Sequence, residues 1–329
     1  MIAVAPAPVP YAASSLQGRH LLEVDDFSAA EVGTVLRLAA YLKHRPPAEQ
    51  AYLLRGKTLA MFFEKPSLRT RVSFEVAATQ LGGSVMFAKG DEFSIGTRET
   101  PEDAARVLSR FADAIVIRTH AHEPLKRFAS ASAVPVINGL SAIAHPCQAL
   151  ADMLTIQERF GTLGGLRIAY LGDAGNNVAA SLAQAAVMSG AHITFGCPPS
   201  HRPSEAFLAQ LQRLGKTSGA TARAFTGAVR AVRGADVIYT DVWTSMGEEA
   251  GTERNRAVLA PYRVTEQLFA HAAPHAVFMH CLPAHRGEEM TADVIDGPRS
   301  IVFDQAENRM HAQKAVLAAL LTDLKGFPL

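Results

Sequence analysis

Several short polar stretches in this chain carry side chains suited to gripping an anion, holding an amine and moving a group between them. The first is Glu64-Lys65-Pro66-Ser67-Leu68-Arg69-Thr70-Arg71, which follows the apolar run Leu59-Ala60-Met61-Phe62-Phe63 and precedes Val72, Phe74, Val76, Ala77 and Leu81. An apolar run followed by helical spacing marks a strand-to-helix turn. A helix start aims unpaired N–H groups and the positive end of its dipole at one spot, and Ser67, Arg69, Thr70 and Arg71 crowd that spot. The chemistry is anion binding, above all of a phosphate. Taken alone, the same residues serve equally well as an N-cap, Ser67, with solvated arginines in the first turn.

Further polar clusters invite other readings. Gly172-Asp173-Ala174-Gly175-Asn176-Asn177 follows a strand pattern but lacks the G-x-G-x-x-G spacing of a dinucleotide turn. Asn177 can donate and accept, which suits a small zwitterion, or it caps the next helix. His145 and Gln148, three apart, share one helix face. His145, Cys147, His280 and Cys281 raise the question of zinc, yet neither pair has ligand spacing and Pro146 stiffens the backbone between the first two, so no metal is expected. Asp241-Val242-Trp243-Thr244-Ser245-Met246-Gly247 offers a carboxylate, hydroxyls and a glycine hinge suited to an ammonium group. His280-Cys281-Leu282-Pro283 places a thiol and carbonyls at a strand end, although a buried cysteine is often only a small hydrophobe.

These clusters require a scaffold that brings strand ends together. Ser28-Ala29-Ala30-Glu31 has capping-box spacing, followed by Val32, Val35, Leu36, Ala39 and Leu42 at helical intervals. Apolar runs at 58–63, 84–88, 114–119 and 134–138 alternate with helical patterns, and a second series runs at 166–171, 192–197, 222–225, 237–242, 277–281 and 301–303. Alternation of this kind predicts α/β architecture in two domains, each a parallel sheet flanked by helices. Ligands of such sheets sit beyond the carboxyl ends of the strands. The polar clusters, including Arg118-Thr119-His120 and Glu307-Asn308-Arg309, lie just after these runs or in the last helix. The expected division is a loose tail over 1–17, a first domain over 18–145, and a second over 146–305 that opens with a bridging helix at 146–160. A C-terminal helix over 306–329 returns to the first domain.

Composition narrows the function classes. A chain of 329 residues, 48% apolar and 19% charged, has enough for two cores. Its 32 basic and 31 acidic residues leave a net charge of +1, which offers no field for nucleic acid or an acidic membrane. Three scattered cysteines fit a reducing, cytoplasmic compartment. The proline-broken start MIAVAPAPVPYAASS reads as neither signal peptide nor membrane span.

Taken in order, S-x-R-T-R, H-P-C-Q-A-L-A-D, D-x-W-x-S-M-G, H-C-L-P and E-N-R-x-H resemble the aspartate/ornithine carbamoyltransferase family over nearly the whole chain past the tail. The resemblance implies that Ser67, Leu68, Arg69, Thr70 and Arg71 receive the phosphate of carbamoyl phosphate. Arg118, His145 and Gln148 would hold and polarise its carbonyl, with Arg309, Cys281 and Leu282 bordering the same ligand. Asn177, Asp241, Ser245 and Met246 would bind the acceptor. Arg69, Arg118, His145, Asp241 and Cys281 would act on the reacting atoms, without a cofactor. It further implies that the ligands meet between domains, that the chains form homotrimers, and that the pathway is arginine metabolism. Ser94 departs from the ornithine branch, which usually has glutamine there, and is expected as a ligand offered across a trimer interface. One carboxylate with neutral donors suits L-ornithine as acceptor. A second reading changes the acceptor to putrescine, a modified ornithine or aspartate, and a third makes the chain a non-catalytic carbamoyl-phosphate-binding subunit.

Overall fold

The computed structural model describes residues 16–90, 94–243, 252–325 and 327. The chain separates into two compact units. One contains the segment up to Leu22, Asp26–Gly139 and the chain from Met310 onward; the other contains Glu23–Asp25 and Leu140–Arg309.

The first unit holds strands β1 (Thr58–Phe63), β2 (Ser84–Lys89), β3 (Ala114–Arg118) and β4 (Val136–Leu140), in the order β2-β1-β3-β4. β1 and β3 are buried almost throughout, as a strand covered on both faces must be. β2 is largely exposed and lies at the edge. Ala60, Phe62, Ile115 and Ile117 pack with Leu125 and Phe128 of the helix His122–Ala131, forming one core layer. Each such large side chain taken from water stabilises by roughly 1.5–3 kcal/mol. The helix Ala29–Lys43 begins with the expected capping box: Ser28 Oγ accepts from Glu31 N–H at 3.3 Å while Glu31 Oε2 accepts from Ser28 N–H at 2.7 Å. The last helix from Met310 onward belongs to this unit, with the Leu320 carbonyl accepting from Gly18 N–H at 2.9 Å.

The second unit is a fully parallel five-stranded sheet, β7-β6-β5-β8-β9. Its strands are β5 (Arg167–Leu171), β6 (His192–Gly196), β7 (Ala222–Phe225), β8 (Val237–Thr240) and β9 (Val277–His280). The helix Pro146–Phe160 starts with proline in its first turn and stops at Gly161 in the left-handed region, φ 76°. Its residues Pro146–Ile156 are all buried.

Two expectations shift. The strand expected at 134–138 begins at Val136, because Pro135 has no N–H to give the ladder. The run Ile301–Phe303 is not a strand: Ser300 makes one isolated bridge to Phe278, and the helix Val302–Leu321 starts at once, leaving Phe303 73% exposed. An apolar triplet that short does not distinguish a strand from a helix start.

Gly82, between the helix Leu68–Gln80 and β2, has φ +88°, and a Cβ there would lie 1.8 Å from the Ala51 carbonyl oxygen. Backbone cannot retreat as a side chain can, so Gly82→Ala is expected to cost roughly 2–4 kcal/mol. A fall of several degrees in the thermal transition, followed by circular dichroism, is the check.

Candidate active site

In the first unit the parallel register brings Phe63 level with Lys89 on one side and with Arg118 on the other. The segments that follow β1 and β3 therefore leave from one edge. Ser67 is the N-cap of the helix Leu68–Gln80, with φ −156° and ψ 97°, yet its hydroxyl caps no backbone N–H. It donates instead to Thr70 Oγ1 at 3.0 Å. Simple capping by Ser67 is thus not what this turn does. Leu68 is 76% exposed.

The arginines separate. Two residues apart on a helix, Arg69 and Arg71 do not share a face. Arg69 is exposed. Arg71 lies over the Phe87 ring, 4.0 Å from its centroid, and 3.6 Å from Glu75. Arg118 ends β3, 8% exposed, and its carbonyl accepts from Glu64 N–H at 2.9 Å. Glu64, to which the sequence reading gave no role, braces this edge. Its carboxylate accepts from Ile95 N–H at 2.7 Å and from the Thr119 hydroxyl. Ile95 follows Ser94, which is exposed and whose carbonyl accepts from Thr97 Oγ1 at 2.8 Å.

In the second unit Leu171 is level with Gly196 and Thr240, and Thr240 with His280. Asp241 and Cys281 are the next residues, and Cys281 Sγ donates to Asp241 Oδ1 at 3.0 Å. Burial, and then the neighbouring Asp241 carboxylate, push the Cys281 thiol well above its ordinary pKa, with Arg309 opposing. The thiol stays protonated and serves as a donor. Burial likewise pushes the Cys147 thiol up to about 12.

Leu282, with φ 60°, turns its N–H back onto His280 Nδ1 at 2.9 Å. The imidazole proton must then be on Nε2, which donates to Glu289 Oε1 at 3.1 Å. That oxygen also accepts from His285 N–H at 2.7 Å. Asp241, His280 and Cys281 have ligand atoms within 4.8 Å of one another. His280 nevertheless has both nitrogens committed to protein partners, Leu282 N–H and Glu289, which leaves no imidazole nitrogen for a metal in this arrangement.

His145 is the N-cap of the helix Pro146–Phe160, 5% exposed, with its N–H donating to Ser181 Oγ at 2.8 Å. Gln148 is 1% exposed; its Nε2 donates to Asp152 Oδ1 at 2.8 Å, and its Oε1 accepts from Arg309. Asn176, not Asn177, caps the helix Asn177–Met188, and Asn177 Nδ2 donates to the Ser141 carbonyl at 2.7 Å. Ser245 and Met246 lie outside the described residues.

The second unit therefore gathers Gln148 with Arg309 and Asp241 with Cys281, while the first gathers Ser67 with Thr70 and links Glu64 to the Arg118 end of β3. The sequence reading passed over Glu64, Asp152, Glu289 and Gln305. Two left a faint signal: Glu64 is the first polar residue after a strand, and Asp152 lies one helical turn from Gln148.

Residues 19–158 match the carbamoyl-P binding domain of aspartate/ornithine carbamoyltransferases, and residues 164–320 match their Asp/Orn binding domain. Among similar proteins, the ornithine carbamoyltransferase of Pyrococcus abyssi is 49% identical over 312 residues, covering 94% of this chain and 98% of that protein. The anabolic ornithine carbamoyltransferase of Pyrococcus furiosus is also 49% identical, covering 94% and 99%. The solved structure of ornithine carbamoyltransferase from Pyrococcus furiosus superposes with a TM-score of 0.90, covering 93% of this chain and 98% of that one.

The raised Cys281 pKa predicts slow alkylation at pH 8. In Asp241→Asn the neighbouring anion is gone, so the pKa falls and Cys281 should label several-fold faster with iodoacetamide, as read by peptide mass mapping. Equal rates would exclude the contact.

Proposed function

The chain belongs to the aspartate/ornithine carbamoyltransferase family, and from that premise we propose that it transfers the carbamoyl group of carbamoyl phosphate to the δ-amine of L-ornithine, giving L-citrulline and phosphate. One observation carries the choice of acceptor: Asp241, at the end of β8, is paired with a protonated thiol and, among the described residues, with no cation. A dicarboxylate acceptor calls for arginines at such a position, whereas a carboxylate with neutral donors suits an amine. The names of the near-full-length relatives support the same acceptor.

The helix start at Ser67, Leu68, Arg69, Thr70 and Arg71 is assigned to the phosphate, with the exposed Arg69 reaching it. Arg71 over Phe87 contributes long-range charge from its present position. Arg118, His145, Gln148 and Arg309 are assigned to the carbamoyl group. Asn177 and Asp241, with Ser245 and Met246, are assigned to ornithine; Cys281 and the Leu282 carbonyl border the reacting atoms.

An alkylamine has a pKa of about 10.4 and attacks only when neutral. Asp241 orients the ammonium, and its removal from water lowers the amine pKa, so one proton leaves to solvent and the neutral amine remains. The nitrogen lone pair then adds to the carbonyl carbon, and the negative charge that grows on oxygen is met by Arg69, Arg118 and His145. The C–O bond to phosphate breaks as the carbonyl re-forms, and the departing phosphate accepts the amine proton. The activated leaving group arrives with the substrate, so this assignment calls on no cofactor.

The working form in this reading is a homotrimer with Ser94 offered to a neighbouring copy. Leu68 and Val72, one turn apart, are 76% and 47% exposed, and Met86 on the edge strand is 41% exposed. Apolar surface of this kind favours a partner. A cytoplasmic location belongs to the same reading, supported by three free thiols; among the described residues no helix is long and apolar enough to cross a membrane. The anabolic relative supports placing the reaction in amino-acid biosynthesis, within arginine metabolism.

Citrulline should form only when ornithine and carbamoyl phosphate are both supplied, with aspartate and putrescine at least a hundredfold poorer. Arg69→Ala should lower kcat/KM by two orders of magnitude or more, since it deletes a charge-assisted contact. Unchanged kinetics would exclude Arg69 from the site, and preference for aspartate would overturn the role of Asp241. Sedimentation equilibrium should return three times the chain mass.

A further inference from the structure

One helical turn after Gln148 lies a carboxylate that the transfer reaction leaves unused. Asp152 has no exposed surface. Its Oδ1 accepts from Gln148 Nε2 at 2.8 Å and from Gln305 Nε2 at 2.7 Å; its Oδ2 accepts from the Tyr239 hydroxyl at 3.2 Å. Gln305 Nε2 also reaches the Tyr239 oxygen at 3.0 Å. Every one of these contacts gives a proton to Asp152, as an ionised, acceptor-only group requires.

A primary amide has a donor end and an acceptor end, so anchoring one end sets the direction of the other. With Nε2 on Asp152, Gln148 turns Oε1 to Arg309. With Nε2 on Asp152 and Tyr239, Gln305 turns Oε1 to His280 N–H at 2.9 Å, at the residue before Cys281. One carboxylate thus orders a residue pair assigned to carbamoyl phosphate and the strand end assigned to border the reacting atoms.

We propose that Asp152 is a positioning residue for carbamoyl transfer, its carboxylate fixing the amide directions of Gln148 and Gln305 and through them Arg309 and the His280–Leu282 segment. The proposal rests on the reaction assigned above. It goes beyond it by giving the orientation of Gln148 and Arg309 a cause outside their contact with substrate.

Ionisation state matters to this device. Burial pushes the Asp152 pKa up to about 7, against donation from Gln148, Gln305 and Tyr239 and the field of Arg309. A neutral carboxyl must itself donate a proton, and one of the three donors then loses its acceptor. The titratable and charged groups facing Asp152 are Tyr239 on β8, Arg309 on the last helix, and Cys281 at the end of β9. Tyr239 and Cys281 have pKa values pushed well above their ordinary ranges by burial.

The test compares Asp152→Asn with the unaltered chain across pH 5.5 to 9 in the citrulline assay. Asparagine keeps an Oδ1 acceptor and loses the charge, so it mimics the protonated acid. The ratio of kcat/KM for carbamoyl phosphate, variant over parent, is expected at about 0.1 to 0.01 at pH 8 and to rise toward 1 below pH 6, where the parent loses the same charge. Substrate titrations are common to both proteins and cancel in the ratio. In a Gln148→Ala background the same substitution should cost at least threefold less, because the amide it directs is gone.

A ratio independent of pH, or a full cost in the Gln148→Ala background, would overturn the proposal and leave Asp152 a structural residue. Should Asp152→Asn not fold, Gln305→Met takes its place. A tenfold or greater loss in kcat/KM with an unchanged melting temperature supports the relay, and a loss under twofold overturns it. Absence of citrulline from the unaltered chain would instead refute the assigned reaction, and the positioning role with it.

Discussion

Parallel pairing decides where chemistry can occur in this protein. Strands that run the same way in register finish at the same level, as Phe63, Lys89 and Arg118 do in one unit and Leu171, Gly196, Thr240 and His280 do in the other. The ladder claims backbone groups up to that level and releases them all at one edge. Each following segment therefore begins its polar residues beside the others, however far apart they lie in sequence. Ser67 and Arg118, or Asp241 and Cys281, become neighbours of an edge because hydrophobic runs buried on both faces leave the sheet no other register.

An edge of loops needs fixing, and carboxylates do it here. Glu64 ties the segment after β1 to Ile95 N–H and to Thr119, after β3. Glu289 sets the His280 tautomer and so the turn at Leu282. Asp152 aligns two amides. Each of these groups accepts from neutral donors, so the energy of each contact depends on direction and is lost when the geometry slips. A cation at the same place would supply a field but little orientation, since point charges attract over a broad range of angles. Orientation is what a site for a planar carbamoyl group needs.

The division between what the sequence reveals and what it hides follows from the same physics. Buried strands such as Thr58–Phe63 and Ala114–Arg118 coincide with their apolar runs because burial alone defines them. Strand-end clusters can be read because their residue types are unsuited to a core, and a motif series preserves their order. The braces escape notice because Glu64, Asp152, Glu289 and Gln305 are ordinary helix or loop residues in composition, and their partners lie up to 153 positions away. Arg71 shows the opposite error of scale: S-x-R-T-R treats its arginines alike, while helical geometry sends one out and lays the other over Phe87. Ile301–Phe303 failed as a strand because three apolar residues carry no period.

In the proposed assignment, the Asp241–Cys281 pair bears most directly on which acceptor is chosen. An isolated carboxylate at a strand end would attract any cation, including a lysine side chain or a metal. Occupying one of its oxygens with a thiol donor satisfies that oxygen at little cost, since a thiol is a weak donor that an ammonium group displaces or shares. Burial, and then the same contact, keep the sulfur protonated and therefore a poor nucleophile, so in the proposed reaction it does not compete with the amine for the carbamoyl carbon. A serine there would donate more strongly and bind the carboxylate too well, while an aliphatic residue would leave the oxygen unsatisfied in a buried place. The weakness of the thiol as a donor thus suits it to the proposed position, where a substrate amine must be the stronger partner.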